Sequence, residues 1–122
     1  MAGRTPGKDG EPAVVVQHAY ELTLWLVRKV EKFPRSFRFS VGDRVIARSL
    51  DLLEALVEAA YSADKRALLD RANRSVSGLR YLLRLAVDLK LLSADSQEFA
   101  AGRLEEIGRM VGGWRKAQRA EP

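Results

Sequence analysis

The stretch EKFPRSFRFSVGDR, residues 31–44, decides the fold because it separates two segments of helical apolar periodicity. Pro34 cannot continue a helix, and it biases the residue before it toward an extended conformation. Ser40 and Asp43 then match the S-x-x-D pattern that caps the start of a helix. We therefore predict that residues 31–44, here called the hinge, connect two helices, with Ser40 as the N-cap of the second.

Aromatic and basic residues alternate within the hinge. Phe33, Phe37 and Phe39 are interleaved with Arg35 and Arg38. Leaving a large apolar side chain in water forgoes roughly 1.5–3 kcal/mol. We therefore expect the three phenylalanines to hold the hinge against the rest of the protein and the arginines to point outward.

Apolar residues recur at the helical period in four segments, and none of these segments alternates like a strand. The pattern predicts helices over residues 13–32, 41–61, 64–90 and 94–117. Each helix has one apolar stripe that faces the core, and these stripes include Tyr20 and Leu22, Leu52 and Val57, Leu79 and Leu83, and Phe99 and Leu104. Four helices joined by short connections are typical of an all-α, antiparallel up-down-up-down four-helix bundle. The broad apolar faces of such a small protein also favour assembly into a homo-oligomer.

Length and composition limit the class of protein. The 122 residues suit one domain, which we place at residues 13–117, between a disordered tail (residues 1–12) and a frayed C-terminus (residues 118–122). The absence of cysteine excludes disulfide scaffolds and thiolate chemistry. No apolar run reaches the ~18 residues of a membrane span, and the tail does not resemble a signal peptide. We expect a cytoplasmic protein without a membrane partner.

Positive charge is concentrated in two segments. The net charge is +5, and residues 28–44 carry six basic and two acidic side chains, a net +4. Residues 64–92 carry seven and three, again a net +4. Such a distribution favours a polyanion or an acidic protein partner, and ordinary solubilising surface charge is the alternative.

The third predicted helix has the most basic face. Arg74, Arg80 and Arg84 share it with Tyr81. Guanidinium groups pair with phosphates and a tyrosine ring can stack on a base, so these four residues form a candidate nucleic-acid site. The alternative is a solvated face, with Asp70 and Asp88 as ion partners and Tyr81 as a subunit contact.

Two residues break the helical patterns. Trp25 projects onto the polar side of the first helix, which indicates a subunit contact, a partner contact or a base-stacking platform, unless Phe33 or the hinge covers it. Arg103 projects into the apolar face of the fourth helix. It must snorkel or pair with an acid on a neighbouring helix or subunit.

The sequence offers little for catalysis. His18 is the only histidine, and no Glu-x-x-His pair or phosphate-binding Gly-x-x-x-x-Gly-Lys loop is present. Asp51, Glu54 and Glu58 lie on an outward helix face beside arginines, as a solvated surface does. We expect no enzyme activity, no metal and no cofactor.

Two motifs carry a family resemblance. They are KFPRxxRFxxGDR in residues 32–44, and EIGRMVGGWRK in residues 106–116, with Gly108, Gly112 and Trp114. Over residues 16–116 the chain resembles Avd, the accessory variability determinant of diversity-generating retroelements. The same broad family of four-helix bundles includes proteins encoded in intervening sequences of 23S ribosomal RNA genes.

The Avd resemblance implies a basic, non-catalytic bundle that assembles into a homopentameric barrel. It also implies binding to a reverse transcriptase and to RNA or DNA, including the template-derived RNA, in support of mutagenic reverse transcription. Arg35, Arg38 and Arg44 match the family's basic hinge. The intervening-sequence branch implies instead an oligomeric protein-interaction module without a reverse transcriptase partner.

Overall fold

The computed structural model describes residues 11–120, and these form an all-helical four-helix bundle. The long helices are α1 (Glu11–Val30), α2 (Asp43–Tyr61), α3 (Arg66–Asp88) and α4 (Ala94–Ala120). Each helix packs on the next one along the chain, and α4 also packs on α1, which closes the bundle. The predicted four-helix architecture is confirmed, whereas the predicted oligomer stays a prediction.

The helix ends differ from the predicted ones by a few residues. Helix α1 already includes Glu11 and Pro12 of the predicted tail, since a proline is tolerated in the first turn, where its missing N–H has no helical partner. Residues 1–10 of that tail lie outside the described residues. Helix α4 runs to Ala120, beyond the predicted end at residue 117. Residues 121–122 again lie outside the described range.

The hinge contains a single sharp break, at Pro34, whose φ of −55° and ψ of 147° are non-helical. A helical turn (Arg35–Phe37) and a π-helical turn (Arg38–Gly42) then run directly into α2. The prediction of Ser40 as N-cap is wrong, because the preceding turns already supply carbonyl partners for the N–H groups. The Ser40 hydroxyl instead donates to the Ser36 carbonyl, at 3.2 Å.

The three hinge phenylalanines have different environments. Phe33 is 3% exposed and belongs to the core, and Phe37 is partly buried against it. Phe39 is 66% exposed, so the expectation that it packs on the bundle is wrong. The cause is the helical conformation after Pro34, which turns Phe39 about 200° around the axis from Phe37.

The core follows the predicted helical stripes. Its largest fully buried side chains come from all four helices: Leu22, Leu26, Leu52, Leu56, Leu69, Leu79, Leu104 and Ile107. Three residues assigned to these stripes lie at their margins and are exposed instead, namely Tyr20, Val57 and Phe99. The buried stripe is therefore narrower than the apolar face of each helix, which leaves apolar side chains at the surface.

Candidate nucleic-acid interface

The basic face of α3 borders a groove between α3 and α4. Arg80, Tyr81 and Arg84 of α3 line a cavity of about 380 Å³ together with Gln97 and Ala101 of α4. Leu83 and Leu104, both buried, also border it. The Tyr81 ring is 72% exposed. Two guanidinium groups and an accessible aromatic ring thus border one apolar-based groove, which suits a phosphate and a stacked base.

A glycine on α4 gives Arg80 its place beside this groove. A Cβ atom at Gly108 would lie 3.3 Å from Arg80 Nη2 and 3.4 Å from Val76 Cγ1. The side chain of Arg80 therefore lies close along the backbone of α4. Arg80 and Arg84 are four residues apart, so they lie on the same edge of α3.

The groove arginines are not neutralised by nearby acids. Within residues 12–119, no carboxylate lies within 4.0 Å of Arg74, Arg80 or Arg84. Asp70, which was the alternative ion partner for this face, pairs with Arg115 of α4 at 2.9 Å instead. The groove therefore carries uncompensated positive charge.

The seven predicted binding residues do not form one cluster. Arg74 is exposed but does not line the groove cavity. Arg35 and Arg44 are exposed on the hinge and the first turn of α2, and Arg38 is partly buried. The Arg38 Nε atom is buried and has no hydrogen-bond partner among the described residues.

The topology nevertheless brings the hinge near the groove. The end of α1, the hinge, the start of α2, the end of α3 and the start of α4 all lie at one end of the bundle, here called the hinge end. The side chain of Arg48 on α2 lies on Gly78 of α3, in keeping with this antiparallel register. Arg84 and Gln97 are therefore at the same end of the bundle as the hinge arginines.

A family model described as bAvd-like matches residues 13–118, which is most of the chain. The protein belongs to the bAvd-like family. No match was found among curated proteins or among solved structures.

The predicted interface tryptophan of this bAvd-like bundle has partners within its own chain. The Trp25 ring packs against Phe99 of α4, with ring centroids 5.0 Å apart, and Lys29 Nζ lies 5.2 Å from the Trp25 centroid. Phe99, rather than the hinge or Phe33, is thus the residue that covers Trp25. The expectation that Trp25 also contacts a subunit or partner stays a prediction.

Arg103 of the bAvd-like bundle joins α4 to α1. Its Nη2 donates to Glu21 Oε1 at 3.0 Å, and its guanidinium carbon lies 5.8 Å from the Phe99 ring centroid. Its Nη1 is 3.9 Å from Glu106 Oε1. An acid on a neighbouring helix was one of the predicted partners, and Glu21 is that acid.

The described part of this bAvd-like chain holds few groups suited to chemistry. His18 Nε2 lies 3.8 Å from Glu106 Oε2. Residues 11–120 contain no group of three or more metal-ligating side chains and no helix long and apolar enough to cross a membrane. The arrangement at the groove can bind an anion and stack a ring.

Sequence reasoning missed the α4 side of the groove. Gln97 and Ala101 are ordinary helix residues, and only the pairing of α3 with α4 places them beside Arg80 and Arg84. Gly108 was the available signal, because a mid-helix glycine costs near 1 kcal/mol and indicates a close approach.

Proposed function

We propose that the protein is a non-catalytic accessory protein of a diversity-generating retroelement, which binds the reverse transcriptase and its template RNA to support mutagenic reverse transcription. The observation that carries the nucleic-acid part is the α3–α4 groove, in which Arg80 and Arg84 lack acidic partners among residues 12–119 and flank the exposed Tyr81. The reverse transcriptase part rests on membership of the bAvd-like family.

The groove chemistry favours nucleic acid over an acidic protein surface. Arginine guanidinium groups bind phosphate oxygens through paired hydrogen bonds, and an exposed tyrosine offers a stacking platform that tolerates any base sequence. Neither feature distinguishes RNA from DNA, so in this proposal template choice comes from the polymerase.

We further propose that the bundle works as a homopentamer in the cytoplasm. Apolar side chains remain at the surface of the monomer, among them Tyr61 at 88% exposed and Phe39 at 66%. Subunit contacts would cover such residues. A ring would also repeat the basic groove, and several weak sites on one assembly raise the apparent affinity for a long strand.

RNA binding as a function of salt tests the groove. The Arg80→Gln/Arg84→Gln variant should bind single-stranded RNA more weakly, and its salt slope should fall by about 1.4, since each lost phosphate contact removes about 0.7. Arg109→Gln/Lys116→Gln is the matched control, because both side chains are exposed, do not line the groove and lie outside the two positively charged segments. Equal affinities and slopes in the two variants would reject the groove as the binding site.

Reverse transcriptase binding tests the retroelement role. The native mass is measured first, and the protein is then mixed with the reverse transcriptase of a diversity-generating retroelement. A pentamer that co-purifies with the polymerase supports the proposal. A protein that binds neither RNA nor polymerase would instead fit the interaction-module branch of the family.

A further inference from the structure

The α3–α4 groove has a second basic cavity at its other end. Arg66 and Asp70 of α3 and Arg115 and Arg119 of α4 line a space of about 370 Å³. Arg66 begins α3 and Arg119 lies in the last turn of α4, so this cavity is at the end of the bundle opposite the hinge. We call it the far-end pocket.

One ion pair organises the far-end pocket. Arg115 Nε donates to Asp70 Oδ1 at 3.0 Å, and Arg115 Nη2 lies 2.9 Å from the same oxygen. These contacts orient the Arg115 guanidinium and use one edge of it. Its other N–H groups have no acceptor among residues 12–119 and can bind a second one.

The remaining two arginines of the far-end pocket have no acidic partner among residues 12–119. Arg66 and Arg119 are exposed, and no carboxylate of those residues lies within 4.0 Å of either guanidinium. Three guanidinium groups and one carboxylate give the pocket a net charge of about +2. A phosphoryl group, with two negative charges or one in a diester, matches that charge and offers acceptors to several arginines.

The two basic cavities lie along the same face of α3. Arg66 and Arg80 are 14 residues apart on α3, so their Cα atoms are about 21 Å apart. Gly112 lies one turn beyond Gly108 on the α3 side of α4, and a Cβ added to Gly112 would meet no atom within 4 Å. No side chain from Gly112 therefore fills the middle of the groove.

We infer that the far-end pocket is a second phosphate-binding site, in which Arg66, Arg115 and Arg119 bind the backbone of the same nucleic-acid strand that lies along Arg80 and Arg84. This inference rests on the proposed function. It makes the groove a track of about 21 Å for a single strand, with Tyr81 near one end and the Asp70–Arg115 pair at the other.

The test uses the full chain and a single-stranded RNA of about 20 nucleotides, which at 3.4 Å per stacked nucleotide is longer than the track. Binding is measured over a salt series for the wild type, Arg66→Gln/Arg119→Gln, Arg80→Gln/Arg84→Gln and the matched control Arg109→Gln/Lys116→Gln. We expect the far-end variant to lose affinity several-fold and its salt slope to fall by about 1.4, as two phosphate contacts are removed. The quadruple variant Arg66→Gln/Arg80→Gln/Arg84→Gln/Arg119→Gln, measured in the same way, should lose about twice that slope.

The outcomes separate the inference from the proposed function. If neither the wild type nor any variant binds RNA, the nucleic-acid part of the proposed function fails. If Arg80→Gln/Arg84→Gln weakens binding while the far-end variant matches the control, only the far-end site is overturned. Inorganic phosphate tests whether the pocket binds a free anion rather than a strand. One contrary result is that phosphate raises the thermal midpoint of the wild type and not that of Arg66→Gln/Arg119→Gln, while both proteins bind RNA equally. That result would also overturn the strand assignment. Equal thermal midpoints of all variants confirm that folding is intact.

Discussion

Gly42 lies against Val30 so closely that a Cβ atom at position 42 would be 2.7 Å from Val30 Cγ1. The same atom would be 3.2 Å from the Phe37 carbonyl oxygen and 3.5 Å from Phe33 Cδ2. Gly42 ends the π-helical turn of the hinge and is buried. The contact shows how the hinge returns α2 to the end of α1: a residue without a side chain leaves room for the Val30 side chain.

Gly42→Ala should therefore destabilise the bundle, although alanine is the better helix former. The added methyl group overlaps the Val30 side chain and the hinge backbone, and overpacking of this kind costs about 1–3 kcal/mol. Urea unfolding, followed by helical circular dichroism, measures the change in free energy. An unchanged or higher midpoint would show that the hinge relaxes around the methyl group.

Gly102→Ala and Gly113→Ala should have the opposite effect. Both glycines lie within α4, and a Cβ at either position would meet nothing within 4 Å. Alanine is favoured over glycine in a helix by about 0.8–1.0 kcal/mol, so each substitution should stabilise by up to that amount. These variants add the same methyl group as Gly42→Ala, but at positions where a Cβ atom meets nothing within 4 Å. A loss of stability together with a smaller native mass would place a sister subunit against the substituted glycine.

The contact between Trp25 and Phe99 should contribute more to stability than the adjacent ion pair. Trp25 is partly buried, so Trp25→Ala should cost about 1–3 kcal/mol, less than a fully buried tryptophan. Glu21→Gln removes the Arg103 ion pair, whose side chains are 31% and 47% exposed, and should cost less than about 1 kcal/mol. Unfolding free energies of the two variants give the comparison, and the reverse order would contradict it.

The helical period predicted the fold and much of its interior. It correctly placed Leu52, Leu79 and Leu104 in the core because the bundle buries one stripe of each helix. It failed at the hinge, where Ser40 has the chemistry of a cap but no free N–H groups to serve. A cap depends on where the preceding helical turn begins, and the motif alone does not show this.

The candidate site was predictable only on one helix. The helical period places Arg80, Tyr81 and Arg84 on one face of α3, and all three are exposed in the structure. The register of α4 against α3 depends on side-chain packing across the interface, so the sequence does not pair Asp70 with Arg115, 45 residues away. The far-end pocket follows from that register alone.

Asp70→Asn tests the charge of the far-end pocket from the opposite direction. The substitution removes a negative charge beside Arg66 and Arg119 and keeps an oxygen that can accept from Arg115. RNA affinity should therefore rise, because the local potential becomes more positive, while the salt slope should not fall, because no phosphate contact is lost.

Asp51→Asn is the matched control: Asp51 lies 3.5 Å from Arg71, and neither residue lines the far-end pocket. Fluorescence anisotropy with labelled single-stranded RNA measures both variants over a salt series. An Asp70→Asn affinity equal to that of the Asp51→Asn control would mean that the strand does not reach this end of the groove.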